Sequence, residues 1–170
     1  AAYTAVDAGA DSITVHLRED RRHIQERDVR FLNECLTVPL NLEMAATPSM
    51  LAFALEVCPE KCCIVPEKRQ ERTTEGGLDA AGSHNHLAPF VAKLNAAGIC
   101  VSLFIEPDMR QLEAAKSLGA PVVELHTGAY CEAEGTERDR QFRRISRAAE
   151  YAEALGIECH AGHGLTFDTV

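Results

Sequence analysis

Four times an alanine-rich stretch with helical spacing ends at a glycine and runs into a short apolar segment. Gly9 precedes SITVH, Gly98 precedes CVSLFIE, Gly119 precedes VVELH and Gly156 precedes ECHAGH. Glycine just past a helix end, followed by a run of alternating or continuous apolar residues, is the signature of a helix-to-strand turn. The pattern predicts strands at residues 12–16, 40–44, 62–66, 99–105, 121–126 and 157–161. Between them, helical spacing predicts a helix tail over 1–8 and a loop then a helix across 17–36, carried by Ile24, Val29, Leu32 and Leu36. Further helices are predicted from the run MLAFALEV and over 87–97, 108–118 and 137–155. From Glu67 to His86 the residues are polar, contain glycine and show no period; a connection of that length reads as a lid or a disordered loop.

Strands alternating with helices through short turns fit either a parallel barrel or an open doubly wound sheet. The barrel is favoured, because a nucleotide-binding open sheet would carry a glycine-rich turn after its first strand and Gly76-Gly77 stands elsewhere. The fold class expected is therefore α/β, a TIM (β/α)8 barrel, with residues 1–170 forming one domain. A closed barrel typically takes about 250 residues, whereas this chain has 170, and residue 1 falls within a helix without a methionine. The expectation is an incomplete barrel of about six units, a fragment lacking the first and last strands.

Composition narrows the function classes. The net charge is −9, with acidic and basic residues interspersed, which argues against a nucleic-acid or anionic-membrane surface and for small ligands. The seven cysteines form no C-x-x-C pair. Cys62, Cys63 and Cys100 sit within apolar runs, where a free thiol packs as a small hydrophobe, so a cytoplasmic setting is expected. No apolar run approaches the roughly 18 residues of a membrane span.

In a parallel barrel the strand C-termini converge on one face and carry the chemistry. The converging set is His16, Arg18, Glu43, Glu67, Glu106, Glu124, His126, His160 and His163. Side chains alternate along a strand, so Glu124 and His126 should share a side, as should Asn41 and Glu43. A buried carboxylate beside an imidazole can be tuned toward neutrality and move protons as a general base, with the histidine as acid. The same carboxylates could instead be paired for structure alone. Glu106, flanked by Pro107 and Asp108, reads as a solvated helix N-terminus. In HLREDRRHI, Arg18 could chelate phosphate oxygens, while Arg21 and Arg22 read as a charged helix-start face. The TTEGG segment (73–77) could close over an anionic ligand. Glu43, His126, His160 and His163 could also furnish metal ligands, although an H-x-x-H spacing on a strand and turn is not diagnostic.

Six strings, TVHLREDRRHI (14–24), NLEMA (41–45), VPEKRQERTTEGGLD (65–79), VSLFIEPD (101–108), VELHTGAY (123–130) and AGHGL (161–165), together resemble the pyridoxine 5'-phosphate synthase family, in its order and across essentially the whole chain. The resemblance implies a TIM barrel that condenses 3-amino-2-oxopropyl phosphate with 1-deoxy-D-xylulose 5-phosphate to give pyridoxine 5'-phosphate, phosphate and water. It implies no metal or organic cofactor, no nucleic-acid or membrane partner, and a homo-octamer for the full-length protein. It also implies that His16 and Glu43 are proton acceptors, His163 is a proton donor, and Glu124 stabilises the transition state. Arg18, His23 and Thr73 would bind the deoxyxylulose phosphate, and Gly164 would contact the aminoketone phosphate. The family's N-x-D-H motif and its last G-H pair are absent, so the fragment alone is expected to be inactive. His160 stands where asparagine is common, either adding a titrating group near the mouth or merely packing. Two other readings are a metal-dependent sugar-phosphate isomerase or aldolase on the same fold, and a non-catalytic phosphosugar-binding barrel.

Overall fold

The structure, a computed structural model, describes residues 1–67 and 76–170. Helix and strand alternate as α1 (Ala2–Asp7), β1 (Ile13–His16), α2 (Glu26–Cys35), β2 (Leu40–Met44), α3 (Pro48–Val57), β3 (Lys61–Ile64) and α4 (His84–Ala96). They continue as β4 (Cys100–Ile105), α5 (Met109–Leu118), β5 (Val122–His126), α6 (Gly128–Glu132), α7 (Gly135–Ala154) and β6 (Glu158–Gly162). The six strands form one parallel sheet in the order β1-β2-β3-β4-β5-β6, curled into a half-barrel of TIM-like α/β type. Sequential order in a parallel sheet is what consecutive right-handed βα units produce.

The glycines that mark the turns do what the pattern requires of them: Gly9, Gly98, Gly119 and Gly156 all have left-handed backbone, with φ between 68° and 99°. A side chain there would strain the turn. Helix starts are equally local. Thr47 caps α3 by accepting from Met50 N with Pro48 following, and Asp108 caps α5 by accepting from Arg110 N at 2.8 Å. Each leaves a strand end free to face the mouth while the chain turns into its covering helix.

Alternation along the strands sorts the two faces of the sheet. Val15, Leu42, Met44, Cys62, Ile64, Val101, Leu103, Val123 and Leu125 point to the helices and pack with Met50, Leu87, Leu94, Leu112 and Ala148 in one buried core. The residues between them, among them His16, Asn41, Glu43, Glu124 and His126, belong to the concave face, as alternation predicts. On that face Cys63, Val65 and Phe104 form a second, smaller buried apolar cluster. Burial pushes the Cys62 thiol up to about 12 and the Cys63 thiol higher still, so both behave as small hydrophobes. Among the described residues no helix is long and apolar enough to cross a membrane.

The long polar loop expected over Glu67–His86 is only partly that. Residues 68–75 lie outside the described residues. Beyond them Leu78 and Ala80 are buried in the main core, Leu78 N donates to Phe104 O at 2.7 Å, and α4 begins at His84. Two apolar residues are too few to show a period. The connection over 127–136 likewise holds the short helix α6. Strand boundaries fall within two residues of those expected.

Leu103 is fully buried at the middle of β4. Leu103→Ala in the full-length protein should cost roughly 2–5 kcal/mol by urea unfolding, whereas Leu165→Ala on the exposed C-terminal loop should stay within about 0.5 kcal/mol.

Candidate active site

The parallel ladder sets polar residues of neighbouring strands side by side. His16 lies opposite Glu43, Glu43 opposite Cys63, Phe104 opposite Glu124, and His126 opposite Gly162. The buried cluster of Cys63, Val65 and Phe104 forms an apolar floor there. Around it stand three carboxylate–imidazole groupings.

The first is His16 between two carboxylates. Its Nε2 lies 2.9 Å from Glu67 Oε1 and its Nδ1 3.6 Å from Glu43 Oε2. Glu67 is itself held, because its second oxygen accepts from Glu19 N at 2.8 Å. Glu43 is less well satisfied. Burial raises its proton affinity above the ordinary carboxylate value, only partly opposed by the nearby His16 and His163, and Glu124 adds to the rise. A half-buried carboxyl with a raised pKa beside an imidazole is suited to taking up a proton.

The second grouping is Glu124 with His163, whose Nδ1–H donates to Glu124 Oε1 at 2.9 Å. This bond raises the His163 pKa, against the opposing effect of burial. The ring also lies over Phe104, with centroids 3.9 Å apart. His163 has left-handed backbone (φ 71°), rare for a residue with a Cβ and typical of functional sites. It is held there by the buried Thr127, whose hydroxyl contacts the carbonyls of Gly162 (2.7 Å) and His163 (2.6 Å). The lack of a side chain at Gly162 leaves room for the Glu124 carboxylate, which a Cβ there would displace from its present position.

The third grouping corrects an expectation. Glu106 is not a solvated helix N-terminus; Asp108 caps α5 instead. Glu106 Oε1 accepts from His126 Nδ1 at 2.8 Å and from Gly77 N at 3.2 Å, and Oε2 accepts from Arg144 Nη2 at 3.0 Å. The His126 hydrogen bond, reinforced by the Gly77 and Arg144 donors, pulls its pKa down to about 2. Gly77 is pinned so closely on β4 that a Cβ would meet the backbone of Ile105 and Glu106.

The remaining candidates are distributed unevenly. Arg18 follows β1, and among the described residues its buried Nε finds no hydrogen-bond partner, the Asp20 carboxylate being 3.6 Å away. Arg21 and Arg22 are engaged locally, with Glu26 and Asp20, both at 2.6 Å. His23 is exposed in the same loop with left-handed backbone and joins none of the three groupings. Thr73 lies outside the described residues. Gly164 follows His163, next to Cys131 and Gly128. His160 is apart from His163: it pairs with Glu158 at 2.7 Å and lines a cavity of about 270 Å³ with Asn41, Lys61 and Glu158, toward the strand starts. The four residues considered as metal ligands therefore do not converge, and among the described residues no three His, Cys, Asp or Glu side chains are grouped to hold an ion.

Phe104 and Arg144 escaped the sequence reading. Phe104 is one apolar residue within the run VSLFI, and nothing local says it floors a site. Arg144 is one of several arginines on a polar helix; only the tertiary approach of α7 to the end of β4 singles it out.

Comparison with known proteins adds an independent line. The family described as "Pyridoxal phosphate biosynthesis protein PdxJ" matches residues 1–170. A pyridoxine 5'-phosphate synthase of Rhodospirillum rubrum is 66% identical over the whole chain, which spans 69% of that relative. One from Coxiella burnetii is 57% identical, again over the whole chain and 71% of the relative. Among solved structures, a D-psicose 3-epimerase of Clostridium cellulolyticum superposes with a TM-score of 0.51 over 94% of this chain and 77% of its own. At 10% identity it speaks for the fold alone.

The Glu106 network predicts a pH window. A carboxylate held at about 2 when folded, against 4.5 ordinarily, contributes stability that is complete above 4.5 and is lost as pH falls toward 2. Allowing for partial exposure, the contribution is on the order of 1–2 kcal/mol. Urea unfolding should show Glu106→Gln less stable than wild type by about that amount near pH 7, with the gap narrowing below about pH 4.5 and closing toward pH 2. A gap independent of pH would contradict the assignment.

Proposed function

The chain belongs to the PdxJ family of pyridoxal phosphate biosynthesis, and from that premise we infer that its activity is pyridoxine 5'-phosphate synthesis. In this reading it condenses 3-amino-2-oxopropyl phosphate with 1-deoxy-D-xylulose 5-phosphate, releasing phosphate and water. The observation that carries the reading is the meeting of a proton-accepting carboxyl, Glu43, with a proton-holding imidazole, His163, over one apolar floor. Ring closure between two ketones needs imine formation, repeated proton transfer and loss of water, and groups tuned in opposite directions supply both halves of that traffic.

The geometry supports the following roles in this reading. Glu43 takes a proton from a substrate carbon or amine, and His16 beside it accepts in turn, its ring held by Glu67. His163 delivers a proton to the departing oxygen, and Glu124 behind it stabilises the imidazolium and the charge that develops. Among the described residues the Nε of Arg18 has no hydrogen-bond partner and only a long contact to Asp20, which supports a role on a phosphate of the deoxyxylulose substrate. His23 and Thr73 are assigned to the same phosphosugar, and Gly164 to the aminoketone phosphate, on the motif resemblance. The apolar floor limits water around reactive imines. The same reading takes the full-length enzyme as a cytoplasmic homo-octamer.

Incubating the full-length protein with both phosphorylated ketones, chelator present, should give pyridoxine 5'-phosphate by absorbance and mass. Turnover only after adding a divalent ion would favour a metal-dependent isomerase or aldolase. Glu43→Gln should lower kcat by about 10²–10⁴-fold, the range of a positioned general base; full activity would remove it from the mechanism. Arg18→Ala should weaken deoxyxylulose phosphate binding by roughly 1.5–3 kcal/mol, the scale of a charged hydrogen bond. Unchanged affinity would free Arg18 of that role.

A further inference from the structure

The outer wall of the half-barrel carries a concentration of positive charge that the acid–base chemistry does not use. Along α7, Arg140, Arg143, Arg144 and Arg147 recur at spacings of three, four and seven residues, which puts four guanidiniums on one face of the helix. They line a cavity of about 550 Å³, closed on its other side by Pro107 and Met109 at the turn from β4 into α5. Because β4 is an inner strand of the sheet, the cavity stands away from the open edges at β1 and β6. The chain as a whole has a net charge of −9, so this face runs against the sign of the rest.

The four arginines are not equally engaged. Arg140 is held at two points by Glu137, at 2.8 and 2.7 Å, and is neutralised there. Arg144 uses Nη2 on Glu106, at 3.0 Å, and among the described residues its Nε and Nη1 donate to no partner. Arg143 and Arg147 are exposed and, among the described residues, have no carboxylate within ion-pair distance. The one carboxylate of the lining, Asp108, serves its own helix, capping α5 by accepting from Arg110 N at 2.8 Å. Like charges four residues apart on a helix repel, so this face by itself costs α7 stability. An anion between the guanidiniums removes the repulsion and satisfies their planar donor forks. Arg143 and Arg147 stand about 6 Å apart along the helix axis, with Arg144 between them, and the cavity has room for more than one phosphate.

We propose that this face of α7 is a binding site for a small molecule carrying two or more phosphate groups, gripped by Arg143, Arg144 and Arg147 and seated against Pro107 and Met109. The site lies outside the acid–base groupings and touches them only through the Arg144–Glu106 pair. It does not depend on the synthase reading.

Inorganic triphosphate is the probe, because it offers charge and oxygens alone. In calorimetry on the full-length protein, wild type should bind one more equivalent of triphosphate per subunit than Arg143→Ser/Arg147→Ser, or bind that equivalent at least about 10-fold more tightly. Triphosphate taken up at the strand ends is common to both proteins and cancels. Arg143→Lys/Arg147→Lys, which keeps the charge and loses the forks, should fall between them. Equal binding by wild type and the serine variant, or none by either, overturns the proposal. A second measurement needs no variant: triphosphate should slow phenylglyoxal labelling of Arg143 and Arg147 in the wild-type protein saturably, read by peptide mass. Labelling of both at the unprotected rate overturns the proposal. Protection by hexaglutamate without protection by triphosphate also overturns it, and makes the face a docking surface for an acidic protein segment.

Discussion

Everything at the mouth depends on the register of a parallel sheet. Because each strand holds a fixed register with its neighbour, a side chain near a strand end has a set partner on the next strand, His16 beside Glu43 and Phe104 beside Glu124, and alternation by two keeps those side chains on one face. A slip of one residue on β2 would exchange Glu43 for Leu42 or Met44, putting an apolar side chain into the site and a carboxylate into the core. The apolar residues of the helix-facing side prevent this: Leu40, Leu42 and Met44 are all buried, and returning them to water would cost several kcal/mol. Packing on one face thus fixes the chemistry on the other.

Given that register, the three carboxylate–imidazole groupings differ by how each carboxylate is satisfied. Glu43 is partly buried with a single long contact to His16, and desolvation dominates. Glu124 has a close partner in His163, and the benefit appears on the imidazole. Glu106 has three donors and is held ionised. One residue type therefore yields a proton acceptor, a support for a proton donor, and a fixed anion. The differences come from neighbours supplied by other elements: Gly77, Arg144 and Thr127 decide them as much as the strands do. The glycines at 128, 162 and 164 complete the arrangement by leaving room where side chains must approach closely.

The sequence made the βα order, the six strands and the shared side of Glu124 and His126 legible, because glycine turns and period-two alternation are local signals. It also brought out His16, Glu43, Glu124 and His163 through strand-end position and motif resemblance. The role of Glu106 was not legible. Its sequence neighbours, Pro107 and Asp108, are helix-start residues, and the partners that decide its state stand 20 to 38 positions away. Phe104 was hidden because burial on the concave side leaves no period of its own, and Leu78 because two apolar residues within a polar connection are too few to show one. His160 looked like a companion of His163 by spacing, yet it lies within β6, while His163 follows the strand and turns back over Phe104.

The central claim is that Glu43 and His163 are tuned in opposite directions so that one takes and one gives a proton in the same site. Site-resolved NMR titration of the Glu43 carboxyl and the His163 imidazole in the full-length, ligand-free protein tests it directly. The account predicts that Glu43 titrates above its ordinary 4.5 and that His163 titrates above its ordinary 6.5. Either group titrating at or below its ordinary value would contradict it.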